Sequence, residues 1–221
     1  MKLMVEALTK FTCGLLLVGL LVFLPAGTLG YAYGWLLIGL LFVPMLIAGF
    51  VMLAKSPEFL KKRLDAKEKQ GTQKGVVAFA GLMFIAGFVV AGLDFRFGWS
   101  HMPTWVVITA AALFLTAYAL YAEVMRENAY LSRTIKVEAG QTVVDTGMYG
   151  IVRHPMYAVT ILLFLMIPLV LGSWYALIVF AFYPAIIIVR LKDEEDLLTK
   201  ELPGYAQYKQ KVKYRIVPFI W

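Results

Sequence analysis

The chain has 221 residues, of which 61% are hydrophobic and 16% charged, and its mean hydropathy is +0.77; such a composition excludes a soluble globular domain and reads as an integral membrane protein. One cysteine, Cys13, excludes an intrachain disulfide framework and a cysteine-based zinc site, and two histidines, His101 and His154, exclude a histidine-rich metal centre. The formal net charge of +7 is explained below by topology and a preference for an anionic leaflet, so no nucleic-acid partner is expected.

Residues 11–24 carry no charge and follow Lys2 and Lys10, a pattern shared with secretory signal peptides. Started near Val5, the helix has about 20 residues and crosses a hydrocarbon core of about 30 Å, so we read it as the first membrane helix. Pro25, Gly27, Gly30 and Gly34 form an uncharged turn before a second apolar run, 33–54, in which Pro44 predicts a kink. Residues 55–74 are strongly basic and contain Ser56-Pro57-Glu58, a helix start with Pro at its first position. Two readings stay open there: an interfacial helix whose Lys61, Lys62 and Arg63 meet lipid phosphates, and an ordinary positive loop.

A third run, 75–93, and a fourth, 104–121, bracket a short loop with Asp94, Arg96, Trp99 and His101. Trp99 and Trp105 suit an interfacial aromatic belt, His101 reads as a solvent-facing loop residue, and Cys13 as a buried small apolar one. The polar linker 122–152 continues the fourth helix through Glu123, Arg126, Glu127 and Asn128 and is then broken by Gly140, Gly147 and Gly150. It is too long for an idle turn.

Two more apolar segments, 155–170 and 174–190, predict a helical hairpin around Leu171-Gly172-Ser173, giving six apolar segments in all. Each limb measures only about 24–26 Å as a straight helix, and Pro168 and Pro184 disturb them further. Short, proline-interrupted helices are tolerated in lipid where protein or a water-filled cavity satisfies the freed backbone groups, so a cavity is expected beside this hairpin. Its two open ends carry Arg153 and His154 on one side and Arg190, Glu194 and Glu195 on the other, which predicts that these clusters face each other at one membrane surface. If the helices alternate from an inside N-terminus, all but one of the 21 Lys and Arg residues fall on segments assigned to the cytosol, the exception being Arg96.

The polar residues have plain structural readings as well. Arg190 and Glu194, four apart, could be a helix-surface pair worth roughly 0.2–0.5 kcal/mol; Arg153-His154 could be a headgroup-binding cap on a helix begun by Pro155; Tyr205 and Tyr208 suit packing. Adjacent Glu194 and Glu195 point about 100° apart on a helix, so at most one faces a pocket squarely.

The run Arg126-Glu127-Asn128, then GQTVVDTGMYGIVRHPMY, then Arg190-x-x-x-Glu194-Glu195, then LPGYAQYKQKVKYRIVPFIW, resembles the isoprenylcysteine carboxyl methyltransferase family and its prokaryotic relatives among the membrane phospholipid methyltransferases. The resemblance covers about residues 120–221. It implies one membrane-embedded all-α domain, a polytopic helical bundle in which 1–121 supplies four transmembrane helices and 122–221 the catalytic region, with a cytosolic pocket for S-adenosyl-L-methionine and no metal. It implies Tyr149, Arg153, His154, Tyr157, Glu194 and Glu195 as cofactor-binding candidates and Arg190 as the catalytic residue that orients the acceptor.

The acceptor implied is a lipid-like small molecule or lipidated group, either an isoprenylcysteine-type carboxylate or a phospholipid amine. It is expected to enter from the membrane lipids of a prokaryotic cytoplasmic membrane, through a tunnel lined by the fourth helix and 155–190 and closed by the tail 196–215. The chain departs from its relatives at Met148 and Gly150, where Pro and Arg are common, and at Val159, where Gly is common, which would narrow the pocket. Two alternatives stay open, an NADPH-dependent reductase of the sterol-reductase type and a non-catalytic membrane scaffold; the acceptor and the oligomeric state are not determined by the sequence.

Overall fold

Apolar runs of this length can satisfy their backbone groups within a bilayer only as helices or closed barrels. The computed structural model describes residues 2–65, 71–131, 135 and 137–221; within them it is all-helical, with no strand. Among the described residues, five helices are long and apolar enough to cross a membrane: Lys2–Ala26, Ala32–Lys55, Gln73–Phe97, Thr104–Glu127 and Trp174–Glu201, with a shorter apolar helix at Pro155–Val170. These are the six apolar segments expected from the sequence. Lys67 and Lys69 of the basic loop, and Ser132, Arg133, Thr134 and Lys136 of the linker, lie outside the described residues.

In chain order the elements are α1 (Lys2–Ala26), α2 (Ala32–Lys55), a short α3 (Pro57–Leu64), α4 (Gly71–Phe97), α5 (Thr104–Glu127), a 3-10 turn at Gly147–Gly150, α6 (Pro155–Val170), α7 (Trp174–Phe180), α8 (Tyr183–Glu201) and α9 (Tyr205–Lys211). Pro57 does begin α3, but the Ser56 side chain makes no capping bond. α2 runs unbroken through Pro44. The break in the last long apolar stretch falls at Ala181-Phe182, and Pro184 sits in the first turn of α8, where its missing N–H costs nothing. α8 then continues past the apolar segment to Glu201.

α5 packs along α6, while α4 packs against α1 on one flank and against α7 and α8 on the other. The α1–α4 contact depends on Gly92, since a β-carbon there would stand 2.6 Å from the Val22 carbonyl oxygen; small residues permit this closeness between membrane helices. Phe114, Phe180, Leu37, Ile167 and Leu191, each 1% exposed or less, lie at the centre of the core. Cys13 is exposed on the surface of α1, not buried as expected, because that face of the helix has no protein neighbour and is apolar enough for lipid.

The predicted hairpin forms, and polar bonds pin its tip. Ser173 accepts from the Ala176 N–H at the start of α7 (3.0 Å) and donates to Asp94 at the end of α4; Asp94, 2% exposed, also accepts from the Ser100 N–H (2.6 Å) and hydroxyl (2.7 Å). Tyr31, in the α1–α2 turn, donates to the Leu171 carbonyl. A buried carboxylate needs such donors, and they hold the far end of the hairpin fixed while its open end forms the site. At the rim, Trp99, Trp105 and Trp174 are exposed, as is His101.

Candidate cofactor and acceptor site

The site begins where α5 ends. Glu127 accepts from the Met148 N–H through both carboxylate oxygens (3.2 and 3.0 Å), satisfying a free donor at the start of the 3-10 turn. Gly147 is required there: its φ is +53°, and a β-carbon would run into the Glu127 carboxylate. This turn sets Tyr149 and the following Arg153-His154-Pro155, with Pro155 opening α6.

The two polar clusters meet. Arg153 Nε donates to Glu195 Oε1 at 2.6 Å, His154 Nε2 lies 3.2 Å from the same oxygen, and Arg215 Nε donates to Glu195 Oε2 at 2.9 Å. Glu195 is 2% exposed, and a carboxylate so deprived of water is stable only with this charge-assisted satisfaction. Arg153 Nη1 donates to the Val212 and Lys213 carbonyls (2.8 and 2.9 Å), and the Arg153 and His154 amides donate to the Tyr214 and Arg215 carbonyls (2.9 and 2.8 Å). The C-terminal tail is thereby laid across the start of α6.

Glu194, one position earlier on α8, points elsewhere. It accepts a hydrogen bond from the Tyr157 hydroxyl, which in turn accepts from Arg190 Nε at 3.2 Å. Arg190 Nη1 donates to Gln73 Oε1 (3.3 Å), and Gln73 Nε2 donates to Asp193 Oδ2 (2.6 Å). Tyr157, Arg190 and Glu194 face a cavity of about 390 Å³ together with Arg153, His154 and Tyr149; Glu195 does not line it. The expected separation of the two adjacent carboxylates is realised, one in a structural clamp and one at the cavity wall.

The tail roofs this space. Leu202, Tyr205, Tyr208 and Val212 pack with Val137, Val143 and Leu198, and the Tyr208 hydroxyl donates to the Tyr149 carbonyl (2.7 Å). Tyr205 and Tyr208 line the cavity from above. Burial raises the phenols of Tyr149, Tyr205 and Tyr208 well above their usual range, so they remain neutral.

Below the polar head the cavity turns apolar; the expected lining by 155–190 is present, with Met156, Thr160 and Phe164 of α6 among it, and the expectation is corrected for the fourth membrane helix. Val76, Val77, Ala80 and Phe84 of the third membrane helix, α4, form one wall and Tyr183, Ile186 and Ile187 of α8 the other, whereas the body of the fourth membrane helix, α5, contributes Tyr121. The reason is packing: α5 lies along α6, whereas α4 packs against α8, so the seam between α4 and α8 carries the apolar lining. Val77 at this seam and Thr142 near the tail are exposed while lining the same cavity. Val159 is 3% exposed, belongs to the core and is not a lining residue, so its bulk does not narrow the space.

Lys62 pairs with Glu138 and Arg63 bonds to the Tyr121 hydroxyl, so α3 joins the site's edge and does not present all three cations to lipid. Sequence reasoning also missed Gln73, Glu127 as a cap, and Arg215. Gln73 left one signal, a lone amide at the margin of an apolar run. No cluster of metal-ligating side chains occurs among the described residues.

The cavity wall brings together a carboxylate that can accept from ammonium or hydroxyl groups, cationic groups that can hold a carboxylate, and aromatic faces that tolerate positive charge. Residues 103–200 match the model of the isoprenylcysteine carboxyl methyltransferase (ICMT) family. An uncharacterised protein of Bacillus subtilis is 26% identical over 165 residues, 74% of this chain and 95% of that protein. A Delta(14)-sterol reductase of Methylotuvimicrobium alcaliphilum is 27% identical over 135 residues, and one of Mus musculus 30% identical over 91 residues. These matches cover 54% and 40% of this chain but only 32% and 22% of the two reductases.

Proposed function

We propose, from the match of residues 103–200 to the model of the isoprenylcysteine carboxyl methyltransferase family, that the chain methylates an amphiphilic, lipid-like acceptor with S-adenosyl-L-methionine as donor, at the cytosolic face of a prokaryotic cytoplasmic membrane. The observation that carries this reading is one cavity with a polar head under the C-terminal tail and an apolar limb along the α4–α8 seam. An acyl or prenyl chain favours an apolar limb by about 0.8 kcal/mol per CH₂. A charged cofactor favours the end with Glu194 and His154.

When bound, S-adenosyl-L-methionine supplies a methyl group on a sulfonium, ready for in-line displacement. The chain's own residues then have mainly to align two reactants, an effect worth up to roughly 7–11 kcal/mol. Glu194 receives the cofactor's ammonium or ribose hydroxyls, and His154, held by Glu195, faces the same space. Tyr157 presents its ring to the positive centre while its hydroxyl is fixed between Glu194 and Arg190. Arg190 orients an acceptor carboxylate, since a guanidinium fork binds that group bidentately. Arg153 and Glu195 hold the tail over the pair and exclude water. The isoprenylcysteine-type carboxylate suits this arrangement better than a phospholipid amine, because a cation stands at the head of the apolar limb.

The names of two relatives favour a second reading, NADPH-dependent reduction of a sterol-like substrate. Isothermal titration of the purified chain with S-adenosylhomocysteine and with NADPH separates the two. Binding of the first alone is expected; binding of NADPH alone would replace the methyltransferase reading, and binding of neither would leave a scaffold.

A further inference from the structure

Most of the outward-facing apolar side chains lie on the membrane-spanning helices, where lipid covers them. Residues 217–220 lie in the tail beyond α9, yet Phe219 is 87% and Ile220 80% exposed, more than any other large apolar side chain among the described residues, and Val217 is exposed beside them. They form a fixed knuckle. The amides of Arg215, Ile216 and Val217 donate to the Trp221 oxygen (2.9, 3.0 and 3.1 Å), and the Ile220 and Trp221 amides donate to the Val217 carbonyl (3.2 and 3.1 Å). Phe219 has a φ of +65°, a conformation that disfavours a bulky side chain and that the surrounding bonds impose.

The depth of the knuckle follows from its neighbours. The Tyr214 and Arg215 carbonyls accept from the Arg153 and His154 amides, immediately before Pro155 opens the membrane segment α6. Ile216 is buried in the core formed by the membrane helices, and Trp221 packs against it. Residues 217–220 therefore protrude at the height where α6 enters the bilayer. Ile151, two residues before Arg153, is exposed there too, as is Lys213 next to the knuckle. Apolar and aromatic side chains flanked by cations are the composition of a contact with the interfacial layer of a membrane.

We propose that the knuckle 217–220 inserts Phe219 and Ile220 into the interfacial layer of the leaflet that α6 enters, and so anchors to the bilayer the tail that roofs the cavity. The anchor is joined to the clamp beneath the roof by Arg215, which donates to Glu195 and lies over the Trp221 ring, 5.0 Å from its centroid. It does not depend on which reaction the cavity performs.

The test uses the full chain in nanodiscs of phosphatidylcholine and phosphatidylglycerol, in a Cys13→Ser background. Ile220→Cys carries a nitrobenzoxadiazole probe, and Leu20→Cys, on the exposed apolar surface of α1, is the reference for hydrocarbon depth. The probe at 220 is expected to be quenched more by a lipid spin-labelled near its headgroup than by one labelled mid-chain, and to be shielded from iodide. Quenching by iodide with none by either lipid overturns the proposal, because the knuckle then stands in water. Shielding from both overturns it as well, and makes a protein partner or a second copy the cover.

A second measurement needs no probe. In the same nanodiscs, Phe219→Ser combined with Ile220→Ser is expected to speed amide hydrogen exchange at Arg215, Ile216 and Val217 by about tenfold or more, the loss of two apolar side chains from the interface. In amphipol, which offers no leaflet, the variant and the wild type are expected to exchange alike. Unchanged exchange in nanodiscs, or equal acceleration in both media, overturns the anchor, the second result because it makes the two side chains ordinary packing.

Discussion

Glu194 and Glu195 differ in what their replacement by glutamine removes. At Glu195 the change leaves Arg153, His154 and Arg215 without their shared anion in a buried setting, and breaking such a group costs about 3–5 kcal/mol. Glu195→Gln is therefore expected to lower the unfolding temperature markedly in a detergent melt and to loosen the tail. At Glu194 a glutamine still accepts from Tyr157, so stability is expected to change by less than about 1 kcal/mol. Its affinity for S-adenosylhomocysteine is instead expected to fall about tenfold or more, the loss of one charge-assisted bond. Titration calorimetry on both variants checks the pair, and unchanged affinity in Glu194→Gln would return that residue to a surface role.

At the scale of elements, the 3-10 turn and α4 have separate consequences. Gly147 holds a left-handed φ against the Glu127 carboxylate, so Gly147→Ala combines backbone strain with a displaced cap and is expected to destabilise by about 1–3 kcal/mol. Because the same turn carries Tyr149 and leads to Arg153, affinity for S-adenosylhomocysteine should fall with it; a thermal melt and a titration on one preparation test both. Ala80 lies midway along the apolar limb. Ala80→Phe is expected to block binding of N-acetyl-S-farnesylcysteine while sparing S-adenosylhomocysteine, and equal loss of both would show that limb and head are one compartment.

For the whole molecule, the helices and the distribution of charge predict a sidedness. With the hairpin crossing twice, the N-terminus, α3, the 122–154 linker and α9 share one side, which positive charge assigns to the cytosol. In a Cys13→Ser background, Lys61→Cys and Lys209→Cys are expected to react with an impermeant maleimide only after the membrane is opened from the cytosolic side, and Ser100→Cys from the other. Labelling of positions 61 and 209 from opposite sides would sink the topology.

The sequence by itself determined the membrane character, the six apolar segments, the hairpin and the meeting of Arg153 with the Glu194-Glu195 pair. Those features follow from composition, period and the placement of charges at helix ends, all of which are local in the chain. Which glutamate faces the cavity required the rotation of α8, since two residues about 100° apart are equivalent until something packs against the helix. The tertiary structure also decided that α4, not α5, walls the apolar limb, because only packing shows that α5 lies along α6 whereas α4 packs against α8. It brought Gln73 to Arg190 and Asp193 for the same reason: these partners are more than a hundred residues from it in sequence, and no local pattern records a contact between side chains that only the folded bundle brings together.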